Sequence, residues 1–265
     1  MDNLIVAKIG GKIIDDTEKR ADFLRQFCGI DAPKILVHGG GAVASTLAES
    51  LGVEVQMVEG RRITDQPMLD VVTMVYGGLI NKSVVAQLQG LGCNATGLTG
   101  ADMNIIRSDK REVTEIDYGF VGDIREVNIE PLYTLVADKI TPVIAPLTHD
   151  GEGSLLNTNA DTIAARVARE MTLLYDVHLY YCFEKPGVLE SVNDEKSVIP
   201  TLSFDRFQEM KSANAIADGM IPKLDTGFDA LQQGVRAVTI CSAGEFARVV
   251  NGSNKVKYTK LLLQD

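Results

Sequence analysis

Short apolar runs, several rich in β-branched residues, recur along the chain with room for a helix between most of them. They are LIVAKI at 4–9, KILVHG at 34–39, NATGLT at 94–99, TPVIAPL at 141–147, LYYCF at 179–183 and RAVTICS at 236–242. Helical patterns fall near 17–28, 42–51, 160–171 and 223–234. A strand that is apolar on both faces is buried on both faces, and strands joined through helices pair in parallel. The expected fold is therefore α/β, a mostly parallel sheet with helices on both sides. Two stretches break the alternation. Residues 65–91 read as a long helix, opened by Thr64 or Asp65 with Pro67 in its first turn and interrupted at Gly77-Gly78. Residues 104–127 read as polar hairpins with turns at SDK and DYG. A soft domain boundary falls near 172–176.

The 265 residues carry 26 Lys and Arg against 36 Asp and Glu, a net charge of −10. That balance argues against nucleic acid or an anionic membrane surface as a partner. An anionic small molecule would have to be held by a few placed cations. Cys28, Cys93, Cys182 and Cys241 lack metal-site or disulfide-scaffold spacing, which fits free thiols in a reducing cytoplasm. Asp2 and Lys8 interrupt the first apolar run, so the N-terminus is expected to be a strand rather than a signal peptide.

Gly39, Gly40 and Gly41 follow a strand and precede a helical pattern. Their N–H groups and the positive helix end can receive phosphate oxygens, or they can simply make a tight turn. Gly39, Gly41 and Ala44 also satisfy a loose dinucleotide fingerprint, with Glu59 near the distance of a ribose-binding acid. No Gly-Lys-Ser/Thr follows, so any cation must come from elsewhere. Lys8 ends a strongly apolar strand just before Gly10 and Gly11, where a buried lysine calls for a partner. Asn157, Asn159 and Asp161 alternate before an alanine-rich helix and are expected to project to one side. Asn159 also suits a helix cap, and Asp161, an acceptor-only carboxylate, could hold two lysines. Lys223 stands in a first helical turn, against the helix dipole. Arg61 and Arg62 precede the long helix, and Arg62 aimed inward would clamp a carboxylate through two donors.

Taken in order, KIGGK, HGGG, GRRIT, GLTGAD, NTNAD and ADGMIPK resemble the amino-acid kinase family, a similarity running from about residue 4 to 245. The resemblance implies an open αβα sandwich, with residues 1–173 as an N-terminal lobe for the acceptor and for homodimer formation, and 174–265 as a C-terminal lobe for ATP. It implies ATP-dependent phosphorylation of the γ-carboxylate of an N-acyl-glutamate in arginine biosynthesis. N-acetyl-L-glutamate is the expected acceptor and N-succinyl-L-glutamate the alternative, beside a non-catalytic sensor on the same fold. Lys8 and Lys223 would flank the moving phosphoryl group, with Asp161 orienting both. Gly10, Gly11, Gly40 and Gly41 would cradle phosphate. Gly40, Gly41, Arg62, Asn157 and Asn159 would meet the acceptor. The nucleotide would lie near Glu184, Lys185, Gly187, Leu189, Ala215 and Ala217, although CFEKPGVLE departs from the family's Ser/Thr-Asp-x-x-Gly-Val pattern. Mg²⁺ would arrive on ATP, without a protein metal cage. Because the chain starts at its first strand, without the helical extension of hexameric relatives, a dimer insensitive to arginine is expected.

Overall fold

The structure, a computed structural model, describes residues 1–58, 61–191, 193–216 and 219–264. Glu59 and Ala217, both named above, lie outside them. An eight-stranded sheet carries the fold. Its order from one edge is Thr201–Ser203, Thr259–Leu262, Ala237–Ser242, Asp176–Phe183, Asn3–Ile9, Lys34–His38, Thr141–Ile144 and Ala95–Leu98. Every neighbouring pair is parallel except Ala237–Ser242 with Thr259–Leu262.

The first strand is central, and this decides where a ligand can go. The next strand in sequence, Lys34–His38, pairs on one side of it and Asp176–Phe183 on the other, with Ile9 level with both His38 and Cys182. Chain connections diverge at that point, opening a crevice at the carboxyl ends of the strands. The loops that follow these strands begin at Gly10, Gly39 and Glu184.

Alternation along Asn3–Ile9 splits the core into two layers. Leu4 and Val6 join Ile163, Ala164, Val167, Leu224 and Phe228 on one face. Ile5, Ala7 and Ile9 join Phe23, Phe27, Val72 and Phe246 on the other. Lys8 shares the face of Leu4 and Val6, since side chains repeat every second residue. That periodicity aims it at the helix Ala160–Met171.

Two expectations from the sequence are corrected. The helical stretch is continuous from Gln66 to Gly90, so Gly77-Gly78 does not interrupt it. Instead Thr73–Ile80 winds as π-helix between the α-helices Gln66–Val72 and Asn81–Gly90. A Cβ on Gly77 would lie 3.4 Å from the Leu147 side chain, an ordinary packing contact, and one on Gly78 would meet nothing within 4 Å. The stretch is long and apolar enough to span a membrane, and half of its most apolar window is buried in the protein. The SDK segment is likewise not a turn. Ser108, Asp109 and Lys110 end the strand Ile106–Lys110, which pairs antiparallel with Gly122–Val127 within a separate four-stranded sheet. The expected turn glycine of DYG, Gly119, does take a positive φ of 70°.

Candidate active site

Asp161 is the centre of the site. Asn159 caps the helix Ala160–Met171, its side-chain oxygen accepting from the N–H groups of Asp161 and Thr162. That cap sets Asp161 in the first helical turn, where the helix dipole favours a carboxylate. Lys8 Nζ stands 2.7 Å from Asp161 Oδ1, and Lys223 Nζ stands 3.1 Å from Oδ2. Lys223 reaches it from the first turn of Ile221–Gln232 and also donates to the carbonyl of Gly219 at 3.3 Å. Residues 8, 161 and 223 thus share one ion cluster.

The charges in this cluster balance unevenly. Burial pushes the Lys8 ammonium below its ordinary pKa; Asp161 pulls it back up and Lys223 pushes it further down. Burial alone would raise the Asp161 carboxyl, but attraction to Lys8 and Lys223 prevails and holds it below the usual carboxylate value. One anion between two cations leaves a surplus positive charge. Lys8 and Lys223 both line a cavity of about 420 Å³ along with Gly10, Gly11, Glu184 and Lys185. The surplus therefore faces a space that an anion can enter.

Gly187 and Leu189 line the same cavity, as do Phe183, Val188, Ile216 and Met220, which give it apolar walls. Ala215 does not line it; its neighbour Ile216 does. Glu184 is tied to Lys19 at 3.2 Å and Lys12 at 3.4 Å, and Lys185 to Glu195 at 2.6 Å.

A second cavity, of about 290 Å³, is lined by Gly40, Gly41, Arg62, Tyr76, Asn157 and Asn159. Arg62 is buried, and its Nη2 donates to the Gly41 carbonyl at 2.9 Å and to Ser45 Oγ at 2.8 Å. Asn157 Nδ2 donates to Thr64 Oγ1 at 3.0 Å. The expectation that Asn157, Asn159 and Asp161 project to one side is not met. The chain turns from strand into helix at the Asn159 cap, so Asn157 and Asn159 line this cavity while Asp161 turns to the lysines.

The glycine loops of the two cavities touch. A Cβ on Gly11 would lie 3.5 Å from the Gly41 nitrogen, and one on Gly39 would lie 3.3 Å from the Gly11 nitrogen. No side chain caps the helix Gly41–Ser50, which leaves its first N–H groups free for a ligand. The alternative of a bare tight turn accounts for the glycines but not for two cavities meeting there. Sequence reading missed the contacts behind this loop: Tyr76, Ile80, Asn81 and the ring of His38. Only the histidine, inside HGGG, carried any signal.

Two cavities joined at glycine loops, with a doubly paired carboxylate beside them, suit transfer of an anionic group from one bound molecule to another. The chain belongs to the amino acid kinase family, whose description matches residues 3–242. It is similar over 99% of its length to 99% of an acetylglutamate kinase of Cytophaga hutchinsonii, at 52% identity. It is also 53% identical, over 92% of its length and 96% of the other, to an acetylglutamate kinase of Parabacteroides distasonis. Its fold is that of carbamate kinase from Giardia lamblia, solved with AMP-PNP bound, at a TM-score of 0.68 and 13% identity over 100% of this chain and 99% of the other.

Proposed function

We propose that this chain transfers the γ-phosphoryl group of ATP to the γ-carboxylate of N-acetyl-L-glutamate, a reaction of arginine biosynthesis. The observation that carries the reading is the bridging of Lys8 and Lys223 by Asp161 at the wall of a cavity whose glycine loop touches that of a second cavity. ATP occupies the larger cavity, near Glu184, Lys185, Gly187 and Leu189, with Ala215 next to the lining residue Ile216. The acceptor occupies the smaller one. Arg62 and Asn157 hold its α-carboxylate and neighbouring atoms, with Asn159 beside them. Residues 1–173 then serve as the acceptor lobe and 174–265 as the ATP lobe.

The γ-carboxylate is already ionised at neutral pH, so no base is needed. One of its oxygens forms a bond to the γ-phosphorus as the bond from that phosphorus to the β,γ-bridging oxygen breaks. ADP leaves with the electron pair. Charge in such a loose transition state spreads over the equatorial oxygens, so catalysis is mostly positioning and electrostatics. Lys8 and Lys223 supply fixed positive charge there, while the N–H groups of Gly10, Gly11, Gly40 and Gly41 supply dipoles without bulk. Among the described residues no three His, Cys, Asp or Glu side chains are placed to hold a metal. A Mg²⁺ ion arriving with ATP would be held by the triphosphate and water.

A second acceptor, N-succinyl-L-glutamate, is favoured by one observation. Arg61 and Arg111 line the acceptor cavity in addition to Arg62, although Asp123 pairs with Arg111. One α-carboxylate needs fewer guanidinium groups, whereas a succinyl group brings another carboxylate. The chain is further proposed to be a cytoplasmic homodimer formed through its N-terminal lobe, where Met74 and Leu79 of the long helix are exposed.

Coupled-assay ADP release with ATP saturating tests these readings together. Release that depends on N-acetylglutamate is expected; release only with the succinyl compound would replace the acceptor. No acceptor-dependent release would favour the sensor.

A further inference from the structure

His38 and Asn81 are buried polar residues that line neither proposed substrate cavity, yet they bond to each other and, through His38, to the Gly39 carbonyl of the acceptor loop. His38 Nδ1 lies 2.8 Å from the Gly39 carbonyl oxygen. A carbonyl only accepts, so Nδ1 carries the proton and, in a neutral ring, Nε2 is left as an acceptor. Asn81 Nδ2 lies 3.2 Å from that Nε2 and also donates to the Val143 carbonyl at 2.9 Å. Lys82 Nζ donates to Asn81 Oδ1 at 3.2 Å and to the Gly97 carbonyl at 2.9 Å. The amide orientation and the histidine tautomer are mutually fixed, since reversing either would face donor with donor or acceptor with acceptor.

The backbone is shaped to allow this network. A Cβ on Gly97 would stand 1.9 Å from Asn81 Oδ1, so only glycine leaves room for the amide. Asn81 follows directly on the π-helix Thr73–Ile80, whose Tyr76 and Ile80 lie against Gly40. A Cβ on Gly40 would stand 2.2 Å from Ile80 Cδ1 and 3.3 Å from the Tyr76 ring. Wider π winding changes which residues share a helix face, and such turns recur at functional sites. Here one helix brings Tyr76, Ile80 and Asn81 to bear on two sides of one loop.

We propose that His38, locked as its Nδ1–H tautomer by Asn81, is a positioning residue for the phosphoryl acceptor. It pins the Gly39 carbonyl so that the N–H of Gly40 faces the acceptor cavity. The step from carbonyl to N–H follows from peptide geometry. The bond is trans, as are all peptide bonds described, so the Gly39 C=O and the Gly40 N–H point in opposite directions. With the carbonyl held inward by His38, the N–H is turned outward to the cavity that Gly40 lines. His38 touches no reacting atom in this arrangement, and its effect passes through the loop.

This inference rests on the kinase reading, and its tests separate the two. Steady-state kinetics of His38→Leu, His38→Asn and wild type, each with folded content checked by circular dichroism, would vary acceptor and ATP independently. His38→Leu removes the donor, and acceptor kcat/KM is expected to fall 10- to 100-fold while KM for ATP stays within twofold. His38→Asn places Nδ2 where Nδ1 was and should recover most of the loss. Equal losses for Leu and Asn, or equal effects on both substrates, would overturn the positioning role. ¹⁵N NMR of the wild-type imidazole supplies a readout that needs neither turnover nor a variant that folds. The Nδ1–H tautomer is expected, and an Nε2–H tautomer would overturn the proposal even if the kinase reading stands. An inactive wild type showing the Nδ1–H tautomer would count against the kinase reading and, with it, against any acceptor to be positioned.

Discussion

Replacing Asp161 by Asn keeps the side chain's shape and removes only its charge, which isolates the electrostatic role of the cluster. In the native protein the carboxylate lies 2.7 Å from one ammonium and 3.1 Å from another. At an effective dielectric of about 20 these contacts amount to roughly 6 and 5 kcal/mol gross. Desolvation cancels much of that. Removing one partner from a buried ion pair typically costs about 3–5 kcal/mol, because the remaining charge stays buried without compensation. Asp161→Asn should therefore lose about 3–5 kcal/mol of stability near neutral pH in urea unfolding, with kcat down roughly 10²–10³-fold as the lysines lose their alignment. Lys8 makes the result pH-dependent. Its pKa is already lowered by burial, and without Asp161 to raise it the folded-state value falls further below the unfolded one. Between those two values the unfolded chain binds the extra proton, so the variant should regain stability as pH rises toward the ordinary lysine value. Its residual activity should move the other way and increase toward acid, where Lys8 recovers its charge. A variant that unfolds at the wild-type urea concentration and keeps a third or more of wild-type kcat at all pH values would refute the reasoning.

Lys223→Ala should lower kcat by about 10²–10³-fold, or about 3–4 kcal/mol in the transition state, by analogy with loss of one stabilising donor. Near-normal turnover would remove Lys223 from the mechanism. Arg62→Lys discards the two bonds that Nη2 makes to Gly41 and Ser45, so KM for the acceptor should increase about tenfold while KM for ATP holds; parallel changes in both would contradict the division of the cavities. Gly40→Ala meets a φ of 154° and the Ile80 side chain and should cost about 1–3 kcal/mol, measured by thermal unfolding, with little cost if the loop is free to shift. The pKa of His38 is lowered from 6.5 to about 4 by burial, outweighing the Gly39 carbonyl and helped by Lys8. Stability from this group is complete above pH 6.5 and is lost as pH falls toward 4. The loss is about 3 kcal/mol, and His38→Asn should flatten that part of the stability curve.

Much of the fold was legible because it rests on local pattern. Apolar runs of strand length separated by helical periodicity admit few arrangements other than a parallel sheet between helices, and that sheet is present. The cluster was legible for a related reason. Lys8 in an otherwise apolar strand and Asp161 at the head of an alanine-rich helix each need a partner once buried, and a sequence shows that need even without distances. The same logic failed where geometry depends on a neighbour. Asn157, Asn159 and Asp161 alternate in sequence, but the cap at Asn159 rotates Asp161 away from the other two. Gly77-Gly78 looked like a break, yet both glycines lie inside the continuous π-helical stretch Thr73–Ile80.

Residue order alone therefore determined the fold class, the family and the need of Lys8 for a partner, because burial makes an unpaired charge expensive wherever the chain places it. Tertiary structure decided which atoms answer that need. It set the two lysines on opposite oxygens of one carboxylate, brought Gly11 against Gly41, and laid the His38 ring between the Gly39 carbonyl and Asn81. Those relations join segments more than two hundred residues apart, as with Lys8 and Lys223, and their directions follow from strand order and helix winding that no local pattern encodes.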